Sequence, residues 1–64
     1  MNGIVSQFDG AAGLGVVVDA DGREFRFHCV EIADGTRMID VGTVVEFAML
    51  PKLGAYEAAC LTKR

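Results

Sequence analysis

The stretch Leu14-Gly15-Val16-Val17-Val18-Asp19-Ala20-Asp21-Gly22-Arg23-Glu24-Phe25-Arg26-Phe27-His28 decides the fold. Asp21-Gly22 between two β-rich runs is a strong hairpin signal, because glycine tolerates the positive φ that such a turn requires. After the turn, residues 24–28 alternate strictly between polar and aromatic. Period two puts Phe25 and Phe27 on one face, assigned to the core, and Arg26 and His28 on the other. The solvent face of this hairpin is therefore mixed and partly cationic.

Working outward, residues 3–8 read as a first strand, with Ile4 and Val5 followed by the polar pair Ser6-Gln7. Residues 42–49 read as a strand on which Val45, Phe47 and Met49 share a face. Pro51-Lys52-Leu53-Gly54 then turns the chain, and residues 56–62 return as a fifth strand despite the helical propensity of Glu57-Ala58-Ala59. Between the third and fourth strands, residues 29–41 read as a loop with one helical turn at Val30-Glu31-Ile32. The eight glycines punctuate short segments rich in Val, Ile and Phe, which is an all-β signature. Five short strands need closure to hide their edges, so a small five-stranded barrel is expected.

Composition bounds the rest. Sixty-four residues are one domain, 1–64, with a single core. A chain of this size buries only about 60% of the surface its unfolded form exposes, which disfavours deep, water-excluding catalytic clefts. It is 52% hydrophobic and 23% charged with one proline, which excludes a disordered or low-complexity segment. Six Lys and Arg against nine Asp and Glu give a net charge of −3, the opposite of the basic excess that marks most nucleic-acid-binding domains. No apolar run has the length of a membrane span, and Met1-Asn2-Gly3 lacks the pattern of a signal peptide, so no membrane association and a cytoplasmic location are expected. Cys29 and Cys60 are too few for a disulfide scaffold and are expected as free thiols.

The order of landmarks resembles the cold-shock domain, a five-stranded antiparallel barrel of the oligonucleotide-binding (OB) type. The resemblance rests on Gly3-Ile4-Val5 with Phe8-Asp9, Gly13-Leu14-Gly15-Val16-Val17, Asp21-Gly22, and Phe25-Arg26-Phe27-His28 with Ile32 four positions later. It continues through Gly42, Val45 and Phe47 to Glu57-Ala58-Ala59-Cys60-Leu61-Thr62-Lys63, so it runs essentially end to end. Members of that family bind single-stranded RNA or DNA by stacking bases on exposed aromatic rings beside basic side chains.

This sequence departs from the family where binding occurs. The family's Lys-Gly-Phe-Gly-Phe-Ile stands here as Ala12-Gly13-Leu14-Gly15-Val16-Val17, and its Val-Phe-Val-His-Phe as Phe25-Arg26-Phe27-His28-Cys29. Its Lys-Trp-Phe has become Ser6-Gln7-Phe8. Base–aromatic stacking contributes about 1–3 kcal/mol per base, and about 1.4 kcal/mol is tenfold in affinity. Three lost platforms therefore cost on the order of a hundredfold or more. The resemblance implies weak or selective binding of single-stranded RNA or DNA through Gln7, Phe8, Leu14, Val16, Arg26, His28 and Arg37. The rival expectation is a protein-interaction or self-association module whose apolar Leu14–Val16 face docks a partner or a second copy.

Other chemistries find less support. Cys29, His28 and Cys60 supply at most three zinc-type ligands, and adjacent His28 and Cys29 point to opposite faces of a strand. The same geometry opposes a Cys-His catalytic pair. Asp19 and Asp21 are turn residues for backbone reasons, and Gly13-x-Gly15 precedes no helical pattern. Neither enzymatic activity, a cofactor nor a metal is expected. A thiol-based redox sensor at Cys29 is a third, weaker reading.

Overall fold

The computed structural model describes all 64 residues, Met1–Arg64. Five strands follow one another in the chain: β1 (Asn2–Asp9), β2 (Leu14–Asp19), β3 (Glu24–His28), β4 (Val44–Lys52) and β5 (Ala55–Lys63). They close into a barrel in the order β1-β2-β3-β5-β4, with β4 pairing back onto β1. Every neighbouring pair is antiparallel except β3 and β5, which meet in parallel at Arg26 and Glu57. This is the small five-stranded barrel that the turn signals and periodicities imply, and it is consistent with the OB type that the resemblance implies. Closure hides the strand edges within the ring and leaves one only where β4 extends past it.

The period-two assignments hold where the strands are part of the ring. Phe25, Phe27, Val45 and Phe47 all face the core, joined by Val5, Val17, Ile32, Ile39, Ala58 and Leu61. No polar or charged residue is buried. Phe25 and Phe47 meet at the centre in a tilted pair, 5.3 Å between centroids, a geometry that aligns one ring's positive edge with the other's negative face. Room for Phe27 comes from Gly15 on the neighbouring strand. A Cβ there would lie 2.6 Å from Cε1 of the Phe27 ring and 2.9 Å from the carbonyl oxygen of Gln7.

The structure corrects the reading of the last hairpin. Met49 was expected to share the core face with Val45 and Phe47, yet it is exposed. β1 pairs with residues 44–46 of β4 and Met1 exchanges hydrogen bonds with the Phe47 backbone, so only beyond Phe47 does β4 have β5 alone as a neighbour and run past the barrel. Met49 thus reaches the rim, beside Arg23, Phe25 and Tyr56. Pro51 belongs to the strand rather than to the turn, because its missing N–H faces a side with no partner. The helical propensity of Glu57-Ala58-Ala59 loses to strand pairing with both β3 and β4. A bulge at Cys60, whose φ is +53°, lets both Ala58 and Ala59 turn inward.

The loop between β3 and β4 starts with a 3-10 turn at Cys29–Glu31, one residue earlier than the helical turn expected at Val30-Glu31-Ile32. Buried Ile32 and Ile39 anchor it, and an ion pair of 2.9 Å from Lys63 Nζ to Asp34 Oδ2 ties it to β5. The Lys63 ammonium and the Thr36 backbone and hydroxyl donors hold the Asp34 carboxyl down at about 2. Both cysteines are free thiols.

Candidate functional site

The strand register builds one face of the barrel from residues far apart in the chain. Gln7 on β1 lies opposite Val16 on β2, Val16 opposite Arg26 on β3, and Arg26 opposite Glu57 on β5. These four side chains form a transverse line across four strands. With about 4.8 Å between neighbouring strands, the line extends roughly 14 Å around the surface. A second line, two residues further along, joins Asp9, Leu14 and His28.

Between the two lines run Phe8, Gly15 and Phe27. Phe27 is fully buried, and Phe8 stacks on it at 6.0 Å with the ring planes 10° apart. Because Gly15 carries no side chain, the core itself makes the floor between the two lines. The result is a groove of about 450 Å³ lined by Gln7, Phe8, Asp9, Leu14, Gly15, Val16, Arg26, Phe27, His28 and Glu57.

Six of the seven residues expected from the sequence thus converge on one groove: Gln7, Phe8, Leu14, Val16, Arg26 and His28. Arg37 does not join them. It stands exposed in the loop before β4, in the left-handed region with φ +59°, and lines neither this groove nor the next. A neighbouring groove of about 770 Å³ shares Gln7, Val16, Arg26 and Glu57 with the first and continues to Lys52, Leu53, Ala55 and Tyr56. The two make one trough, leading from His28 across the Arg26 line to the β4–β5 turn.

The charges of the molecule divide by task. Arg23 pairs with Asp19 and Asp21, Lys63 with Asp34, and Arg64 with Glu46. Arg26, Arg37 and Lys52 make no ion pair, and two of these three line the trough. No side-chain hydrogen bond engages Arg26, His28, Lys52 or Glu57. Their donors and acceptors face solvent and are free for a ligand.

The trough is not a contiguous positive patch. Asp9, Glu24 and Glu57 line it against Arg26 and Lys52. Of these carboxylates, Asp9 accepts hydrogen bonds from the backbone N–H groups of Ala11 and Ala12, at 3.0 and 3.2 Å, and so braces the β1–β2 turn. Glu57 does nothing comparable. Chemically the face offers aliphatic and aromatic surface, a planar cation, an imidazole, an amide and a free carboxylate. That combination suits planar, partly apolar ligands with polar edges. Cys29 and Cys60 line neither groove, and no three His, Cys, Asp or Glu residues gather where they could hold a metal.

Tyr56 and Glu57 are among the trough residues that escaped the reading of the sequence. Tyr56 is the aromatic side chain most exposed to solvent on this face, and it follows the turn that sequence reasoning did identify. Its position two residues after Gly54 was the available signal. Glu57 had none, since only the parallel pairing of β3 with β5 brings it beside Arg26. Compared with known proteins, the chain matches no family model, and no curated protein matches it significantly.

Proposed function

We propose that this barrel binds single-stranded RNA or DNA weakly, along the trough from His28 and Leu14 across Arg26 and Val16 to Lys52 and Tyr56. The observation that carries the reading is that two unpaired cations, Arg26 on β3 and Lys52 at the end of β4, line one trough with the apolar and aromatic surfaces of an OB-type barrel. The β2–β3 face and the β1–β2 and β4–β5 loops are where OB barrels generally take oligonucleotides. The resemblance to the cold-shock domain supports the same face.

Each side chain has a role that its chemistry allows. Leu14 and Val16 cushion a base, Arg26 stacks its guanidinium on one or bonds a phosphate, and His28 stacks or donates a hydrogen bond. Gln7 bonds a base edge, and Tyr56 supplies an aromatic platform at the far end. Phe8 forms part of the wall. With aliphatic surface where aromatic rings would grip harder, affinity belongs at the weak end of sequence-independent binding, roughly 10⁻⁴ M at physiological salt.

Titration of short labelled single strands, RNA and DNA in parallel, tests this by fluorescence anisotropy. Neutralising two phosphates gives a slope of about −1.4 for log K against log salt, or roughly sevenfold weaker binding between 50 and 200 mM. Arg26→Ala and Lys52→Ala each remove about half of that slope. Binding absent at low salt and millimolar protein would sink the proposal. The competing reading, self-association through half-exposed Leu14 and Val16, predicts instead a concentration-dependent sedimentation mass that Leu14→Asp abolishes.

A further inference from the structure

Glu57 is out of place on a surface that binds phosphates, and its position suggests what it is for. It stands in register with Arg26, lines both parts of the trough, and is engaged by no ion pair. A free carboxylate here repels a phosphate but accepts hydrogen bonds from N–H donors. The guanidinium of Arg26, whose backbone lies one inter-strand step of about 4.8 Å away, offers donors. Side by side, the pair presents two acceptor oxygens followed by a fork of donors.

Among the four bases, guanine presents the best complement to that pattern. Its Watson–Crick edge carries two adjacent donors, N1–H and the N2 amino group, next to the acceptor O6. A carboxylate takes both donors at once, and the guanidinium reaches O6. Uracil and thymine offer a single N–H between two carbonyls, and adenine a single amino group. Cytosine offers one amino donor to the carboxylate. Bonds to charged groups are the stronger kind, and a bidentate contact adds geometric selectivity. Gln7, at the other end of the same line, has both a donor and an acceptor for a flanking base.

We propose that Glu57, beside Arg26, makes the trough selective for a guanine in a single strand, read on its Watson–Crick edge. The inference rests on the single-strand reading above, and its failure is distinguishable from the failure of that reading. The probe is a short labelled oligo(dT) with one central base varied among guanine, inosine, cytosine, adenine and thymine, with the matching oligo(U) series beside it. The guanine strand binds about tenfold more tightly than the all-thymine strand. Inosine, which lacks the N2 amino group, loses most of that gain without any change in the protein. Glu57→Gln abolishes the guanine preference and, by removing a negative charge, tightens binding of the all-thymine strand.

Equal affinity for guanine and inosine, or a guanine preference that survives Glu57→Gln, overturns the proposal while single-strand binding stands. A preference for cytosine over guanine would assign the carboxylate to a single amino contact and also overturn it. Absence of binding in every strand overturns both readings together.

Discussion

The β2–β3 and β4–β5 hairpins of this barrel are built on opposite principles. In the β2–β3 turn, the Asp19 carboxylate accepts hydrogen bonds from the backbone N–H groups of Asp21 and Arg23, each at 2.9 Å, and from Arg23 Nε at 2.8 Å. Arg23 also lies 5.9 Å from the centroid of the Phe25 ring. Every charge there is engaged in holding the turn. The β4–β5 turn has no side-chain clasp at all: Leu53 is fully exposed and Lys52 makes no ion pair. One hairpin is locked and presents its flat face; the other overhangs the barrel and leaves its polar groups for a ligand. In a chain this small, the polar groups that folding does not use are the ones left for the binding proposed here.

The sharpest way to break the contrast is in the floor of the locked hairpin. Gly15→Ala pushes a Cβ into the Phe27 ring and the Gln7 carbonyl, and is expected to destabilise the barrel by about 3 kcal/mol, read by denaturant unfolding. The turn glycines provide the matched control. Gly22 and Gly54 have φ of +81° and +77° with open space around each, so alanine at either is expected to cost about 1–2 kcal/mol. Equal losses would mean that only the backbone conformation matters at the turns. A larger loss at Gly22 would show that the Asp19 clasp depends on it.

Acid tests the clasps themselves. Burial alone would raise the Asp19 carboxyl, but the Arg23 backbone and side-chain donors, the Asp21 N–H and the Arg23 charge together bring it below its ordinary value. Asp34 is held at about 2 by Lys63 and Thr36. A carboxyl lowered by folding stabilises the fold fully above its ordinary value, near 3.8, and loses that contribution as protons are taken up. Melting temperature is therefore expected to fall between about pH 4 and pH 2, and Asp34→Asn should flatten the lower part of that slope. The smallest effect belongs to the open hairpin, where Leu53→Ser should change stability by no more than about 0.5 kcal/mol.

The same division explains what could be read in advance. Phe25 and Phe27 were legible because alternation beside an Asp-Gly turn fixes both the turn and the inward face. Val45 and Phe47 followed the same rule. Met49 broke it because periodicity says which way a side chain points and not where a barrel ends. Ala58 and Ala59, both inward, depend on a bulge that no local signal announces. In the trough, Arg26 and His28 were found from one strand's alternation, and Leu14 and Val16 from its partner. Glu57 was invisible because its neighbour Arg26 is supplied by a pairing between distant strands. Arg37 was selected for its loop, and the loop points it elsewhere.

The ring closure described for β1 and β4 also governs time. Asn2, Gly3 and Ile4 must find Glu46, Val45 and Val44, a meeting of segments separated by most of the chain. Closing such a loop costs entropy before any contact repays it, and barrels dominated by distant pairings fold in milliseconds to seconds rather than microseconds. The β1–β2–β3 meander is sequence-local, so it has the advantage in forming first. Its outer face carries every member of the Gln7–Val16–Arg26 line, and only the arrival of β5 sets Glu57 beside it. On that order of events, a newly made chain acquires its cationic surface before its carboxylate, so the selectivity proposed for Glu57 would arrive only as the barrel shuts.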